Sequence, residues 1–368
     1  MTTEPQIKEK SVVRRVVFVG NCQLDTLANL YRRVAGPESD DRLAYVASYQ
    51  DADAGQRRII AEADVLVQQV LDFAPRIGDL PTRATVHLVP HIAGAFLWPY
   101  TGQPHPKNAP APFLDEGGPY PTELGDSFLN RMIVAEVPAE QAVPSYLSTD
   151  VATVRRVDRL QELVLDKQRD RDLACGYGFA DLISSRFRQE RLFRSPNHPE
   201  IRLTMMLARE VFARLGMAQQ LIEEMVRSPP GALFPPSETP IHPSVVKHFG
   251  LECIAPDARY RYFNEGSFTF EEFAHRYMRY EWNPDMAKAF HLFWAQQFEA
   301  AAPVFEVAVR SSPRSAAAHF VLSDLLARQG RFADAVEPAR QAVRIEPENE
   351  AFRKRLDYMI AKSKQPPH

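Results

Sequence analysis

Apolar residues change their spacing several times along this chain, and each change marks an element. Val16-Val17-Phe18-Val19 is an unbroken, mostly β-branched run that reads as a buried strand. Gly20 allows a tight turn, after which Leu24, Leu27, Ala28, Leu30 and Tyr31 fall at helical spacing. A short strand over 44–48 and a helix over 52–63 follow. Two further apolar runs, 64–69 and 85–89, turn abruptly polar at their ends, in Gln68-Gln69 and Pro90-His91. Strand alternating with helix predicts a parallel α/β sheet flanked by helices.

Beyond the sheet the pattern loosens. Seven prolines between Pro99 and Pro121 exclude regular structure and predict a long ordered loop, read as a lid over the sheet rim. Helices are expected over 123–136 and, heavily charged and therefore outward-facing, over 149–172. Pro199 is a helix-start signal ahead of the amphipathic run Ile201, Met205, Leu207, Ala208, Val211, Phe212, which places His198 at a helix entrance. A second Pro-rich loop, 228–240, leads into Ile241-His242-Pro243 and a short helix closed by Gly250. An edge strand is expected at 259–263. Thr269 and Glu272 have capping-box spacing for the helix that follows. From Trp282 the chain becomes Ala-rich, and Ala301, Ala308 and Pro313 recur 34 residues later as Ala335, Ala342 and Pro347. Three segments result: a loose tail over 1–13, an α/β domain over 14–281 and helical repeats over 282–368.

Composition narrows the function classes. A length of 368 residues leaves ample core, and a net charge of −3 leaves no global footprint for nucleic acid. No run approaches a membrane span and the polar start carries no signal-peptide pattern. Three scattered cysteines, Cys22, Cys175 and Cys253, suit a reducing cytoplasm better than a disulfide framework or a zinc cluster. The histidines His87, His91, His198 and His242 do not fall at paired ligand spacings, so no metal is expected.

In parallel sheets ligands sit beyond the carboxyl ends of the strands, and three strands here deliver polar residues to that rim: Asn21, Cys22 and Gln23, then Gln68 and Gln69, then His91. Cys22 sits on a strand-to-helix turn, where the helix dipole favours a thiolate. The plainer reading is a small buried cysteine beside a capping asparagine. Arg186, Arg188, Arg191 and Arg194 stand among aromatics; such a run is usually a solvated face, but guanidinium groups also match phosphate oxygens in pairs.

Gly20-Asn21-Cys22-Gln23, Gln68-Gln69, Pro90-His91, Asn197-His198-Pro199 and Ile241-His242-Pro243 together resemble the WcbI family of polysaccharide biosynthesis proteins, over most of 14 to about 280. The 34-residue period resembles tetratricopeptide repeats. What the first resemblance implies is a coenzyme A-binding, acetyltransferase-like protein acting on surface glycans. Gly-Asn-Cys is also similar in placement to the Gly-Asp-Ser turn of SGNH-type esterases, which implies a nucleophile at Cys22. On that footing Cys22 attacks an acyl-coenzyme A and His198 is its base, oriented by Asn197 or an acid elsewhere. Asn21, Gln23 and Gln69 are the expected oxyanion donors, His91 and His242 line the site, and the arginines meet the phosphates. A thiol esterase, or a glycan-binding scaffold whose repeats recruit a protein partner or a second copy, are the alternatives.

Overall fold

Strand β1, Arg15–Gly20, is the inner strand on which the amino-terminal region is built. The computed structural model describes residues 13–36, 41–72, 83–108, 120, 122, 124–229, 237–262, 266–280, 283–313, 315–347 and 349–364. β2 (Arg42–Ala47), β1, β3 (Val65–Val70) and β4 (Thr85–Pro90) form a four-stranded parallel sheet in the order β2-β1-β3-β4. Side chains alternate across β1. Val17 and Val19 meet Ile60 of α2 (Ala54–Ala61) and Leu66, whereas Phe18 meets Tyr31 of α1 (Cys22–Ala35). The parallel α/β fold expected from the alternation is the one observed.

The chain divides into two compact units. The first comprises residues 1–97, 156–235 and 250–253, and holds the sheet together with helices Val157–Cys175, Phe179–Arg186, Ile201–Arg214 and Gln219–Arg227. The charged helix expected over 149–172 is broken: Val151–Val154 ends, Arg156 takes a left-handed φ of 50°, and Val157–Cys175 begins anew. Nor is the longer piece purely solvated. Its inward face buries Gln168, Arg171 and Asp172: Asp172 accepts from Gln168 Nε2 and Ala180 N, Gln168 Oε1 accepts from Arg171, and Arg171 pairs with Asp72 just after β3.

The second unit comprises residues 98–155, 236–249 and 254–368. Asp126 caps helix Ser127–Val134 by accepting from Phe128 N and Leu129 N, and also accepts from the Tyr146 hydroxyl at 2.6 Å. The described part of the Pro-rich segment belongs here, with the buried His105 ring against Tyr120, Tyr277 and Tyr280. Residues 109–119 lie outside the described residues, and so does the core of the second Pro-rich loop. The expected edge strand is half of a two-stranded hairpin, Tyr260–Tyr262 with Gly266–Phe268, and the capping box at Thr269 and Glu272 is formed. Five helices end the chain: Pro284–Trp294, Phe298–Ser311, Ala316–Arg328, Phe332–Ile345 and Glu350–Ser363. Ala301, Ala308, Ala335 and Ala342, the periodic positions, are completely buried, because only a methyl group fits between closely approaching helices.

Candidate active site

Asn21 leaves β1 in extended geometry and its Oδ1 accepts from Gln23 N, which makes it the N-cap of α1. Cys22 is therefore the first helical residue, exposed, at the positive end of the helix dipole. Just before the cap, Gly20 has no space for a side chain: a Cβ there would stand 2.7 Å from both Gln69 Oε1 and Leu24 Cγ. This close approach lets Gln69 Oε1 accept from Asn21 N at 2.8 Å, locking the turn against β3.

His198 arrives from 176 residues further along. Phe193–Ser195 (β5) and His198–Pro199 (β6) form an antiparallel hairpin that sets Ser195 opposite His198, with Pro196 and Asn197 at its turn. His198 is thus not at a helix entrance, as the proline suggested. The helix starts at Ile201, and the bond from Glu200 N to Leu192 O keeps the preceding residues in the hairpin. Gly94 N donates to Pro196 O at 2.9 Å, and the Phe193 ring fills the space that a side chain at Gly94 would need.

One buried amide joins the two turns. Gln23 Nε2 donates to Ile92 O at 2.7 Å and to Asn197 O at 2.8 Å, while its Oε1 accepts from Ile92 N at 3.2 Å and from Gln69 Nε2 at 3.3 Å. The carboxyl ends of β1, β3 and β4 are thereby tied to the hairpin. The outcome is a contact of 3.2 Å between Cys22 Sγ and His198 Nε2, and one of 2.6 Å between Ser195 Oγ and His198 Nδ1. Burial, reinforced by the Arg194 guanidinium, pushes His198 down to about 4, so its ring is neutral at pH 7. A neutral imidazole held against a thiol can accept its proton.

Other expected residues take different places. Both amide hydrogens of Gln23 are used in the scaffold, so it offers no oxyanion donor. Gln69 is buried, with Oε1 on Asn21 N and one Nε2 hydrogen on Gln23, so the half-buried Asn21 side-chain nitrogen is the more accessible amide donor. Asn197 contributes its backbone carbonyl to Gln23, and the group bonded to His198 Nδ1 is Ser195 Oγ. Gln68 lies on the opposite face of β3 from Gln69, the face of Leu66, away from the Asn21 turn. His91, next to Ile92, is pushed down to about 4 by burial and by Arg171. Arg194 acts on His198 directly, whereas Arg186 pairs with Glu190 at 3.4 Å, Arg191 with Glu200 at 3.6 Å, and Arg188 lies over the Phe187 ring. His242 belongs to the second unit, where Nδ1 bonds Ser244 Oγ and Nε2 bonds Tyr146 O. Ser195 escaped sequence reasoning. The clue was Pro196-Asn197, a favoured turn pair, which closes a hairpin between Ser195 and His198.

A parallel α/β domain with a cysteine–histidine contact at the carboxyl rim of its sheet, where strand order reverses about β1, has its candidate site where such folds bind ligands. The chain belongs to the WcbI family: the family described as polysaccharide biosynthesis enzyme WcbI matches residues 15–220, and tetratricopeptide repeat matches residues 288–350. Among solved structures the chain is similar in fold to WcbI, described as a novel polysaccharide biosynthesis enzyme, in native form without a disulfide bond between coenzyme A and a cysteine. The TM-score is 0.53 at 15% identity, over 95% of this chain and 99% of that one. So wide a span takes in the helical repeats as well as the α/β domain. No curated protein matches the chain. No described helix is long and apolar enough to cross a membrane.

Proposed function

We propose that the protein is an acyltransferase that moves an acyl group, acetyl in the simplest case, from coenzyme A to a hydroxyl of a surface polysaccharide or its precursor. The contact of 3.2 Å between Cys22 Sγ and His198 Nε2 carries the reading. Cys22 Sγ attacks the thioester carbonyl carbon while His198 Nε2 takes the thiol proton. The bond from that carbon to the coenzyme sulfur breaks, and His198 returns the proton to the departing sulfur. The acceptor hydroxyl then attacks the acyl-cysteine, gives its proton to Nε2, and Cys22 recovers it as a thiol. Asn21 Nδ2 supplies a donor to the tetrahedral oxyanion, where one such donor is worth about 3 kcal/mol.

Coenzyme A fits the residues present: an exposed sulfur for the thioester end, and cationic Arg194 beside the pair for phosphate, with Arg188 further along the same segment. That the similar WcbI structure is described by reference to a coenzyme A–cysteine disulfide supports a thiol within reach of this coenzyme. In this reading residues 14–281 carry the chemistry in the cytoplasm, and residues 282–368 supply a protein contact or self-association. Thermal denaturation with coenzyme A and acetyl-coenzyme A tests it. A ligand at 100 times its Kd stabilises by about 2.7 kcal/mol, and no stabilisation of folded protein at millimolar coenzyme refutes the reading. The exposure of Cys22 favours a second reading, a thiol esterase, because water can approach the sulfur. Turnover that is equal with and without a glycan acceptor would select it.

A further inference from the structure

Ser195 is almost completely buried, at 1% exposure, and its Oγ lies 2.6 Å from His198 Nδ1. No other hydrogen bond to that hydroxyl is formed among the described residues. A neutral imidazole carries one N–H and one lone pair. For Nε2 to accept the Cys22 proton, the hydrogen must sit on Nδ1 and be accepted by the group beyond it. A carboxylate in that place only accepts. A hydroxyl can accept from Nδ1 or donate to it, and when it donates, the ring hydrogen moves to Nε2 and faces the sulfur unproductively. A hydroxyl also brings no negative charge to offset an imidazolium. The titratable and charged groups that face His198 are Cys22 from α1, His91 after β4 and Arg194 from its own hairpin, and none of them is a carboxylate.

We propose that Ser195 is the positioning residue of the Cys22–His198 pair and that, being a hydroxyl, it confines proton transfer to the moment when sulfur bonds to an acyl carbon. Cys22 is then exposed yet slow toward ordinary electrophiles, and its reactivity is directed to a bound thioester. The idea rests on the acyl-transfer reading only for that last clause. In the balanced step the S–H bond breaks as its proton passes to Nε2, the Nδ1–H stays on the ring and donates a hydrogen bond to Ser195 Oγ, the sulfur electron pair forms the bond to the thioester carbon, and the carbonyl π pair moves onto oxygen, returning to expel the coenzyme sulfur, which takes the proton from Nε2; no oxidant or further reactant enters.

Alkylation of Cys22 by iodoacetamide, followed by peptide mapping from pH 5 to pH 9, reads the resting pair without any substrate. Ser195→Asp places an anion at Nδ1 and should raise the alkylation rate at pH 6 by about tenfold or more, flattening the pH profile, because an adjacent carboxylate favours the imidazolium by one to three pH units. Ser195→Ala removes the acceptor and should slow acetyl transfer by about 10²-fold at unchanged coenzyme A affinity. In the wild type, ring nitrogen NMR of His198 at pH 7 should give a neutral imidazole, a measurement that needs no variant to fold. An imidazolium signature there, or Ser195→Ala with wild-type transfer rate and pH profile, overturns the proposal. Failure of coenzyme A to bind, with the alkylation results as expected, removes the acyl-transfer reading and leaves the role of Ser195 standing.

Discussion

Replacing Gln23 with Met keeps the length and volume of the side chain and removes its amide. Four hydrogen bonds go with it: two donated to Ile92 O and Asn197 O, and two accepted from Ile92 N and Gln69 Nε2. Gln23 is 3% exposed and its bonds to Ile92 and Gln69 are buried, so water cannot take over those partners without opening the site. A typical hydrogen bond contributes about 1 kcal/mol net, and each buried group left unpaired costs about 1–3 kcal/mol. The two donated bonds are the shorter pair and no other hydrogen bond to their carbonyls is formed among the described residues, so the expected loss is about 3–4 kcal/mol in the first unit, near the upper end for a single substitution. Native-state hydrogen exchange of the β1 and β3 amides is the assay, since two units need not unfold together and exchange reports each by itself. The same variant should react more slowly at Cys22 with acetyl-coenzyme A, because the hairpin loses its tie to the cysteine turn. A loss below about 1 kcal/mol together with unchanged acylation would refute the idea that this amide holds the two turns in register.

Further outcomes follow from the same geometry. Gly20→Ala should destabilise by about 1–3 kcal/mol and displace Gln69, because a methyl group there meets Gln69 Oε1 and Leu24 Cγ at 2.7 Å; wild-type stability in urea would contradict the packing described. Incubation with radiolabelled acetyl-coenzyme A should leave label on the wild type and none on Cys22→Ala, and label retained on the alanine variant would remove the covalent step. Burial pushes both His91 and His198 down to about 4. With folded values below the unfolded value of about 6.5, their contribution is complete above pH 6.5 and is lost as pH falls toward 4, by about 3 kcal/mol for each ring. Unfolding free energies at pH 7 and pH 4.5 should differ accordingly, and His91→Gln should make the dependence shallower.

The sheet was legible because its strands are short apolar runs bounded by polar residues, and so was the cysteine turn, because hydrophobic spacing changes from strand to helix across Gly20. The histidine was legible as a residue but not as a placement. Pro199 is as compatible with β6 as with a helix start, and only the pairing of Ser195 with His198 decides between them. Gln23 and Gln69 could not be assigned from sequence either, since an amide that donates to an oxyanion and one that ties three strand ends together are the same residue type. The arginine run was ambiguous for a related reason: Glu190 and Glu200, which engage Arg186, Arg202 and Arg191, lie nearby in sequence, but their geometry does not follow from spacing. His242 shared a motif with the other histidines, yet both of its ring nitrogens are committed to neighbours in the second unit.

Cys22 and His198 lie 176 positions apart, on a helix start and on a hairpin from the middle of the chain. During synthesis the sheet strands, with Cys22 among them, leave the ribosome long before Ser195 and His198 do. The nascent protein therefore carries a sulfhydryl without its imidazole while residues 23–197 are made, and the contact can form only when the chain has passed residue 199 and the hairpin can dock. On the proposed chemistry, a growing polypeptide still unable to select its substrate is thereby kept from acylating itself.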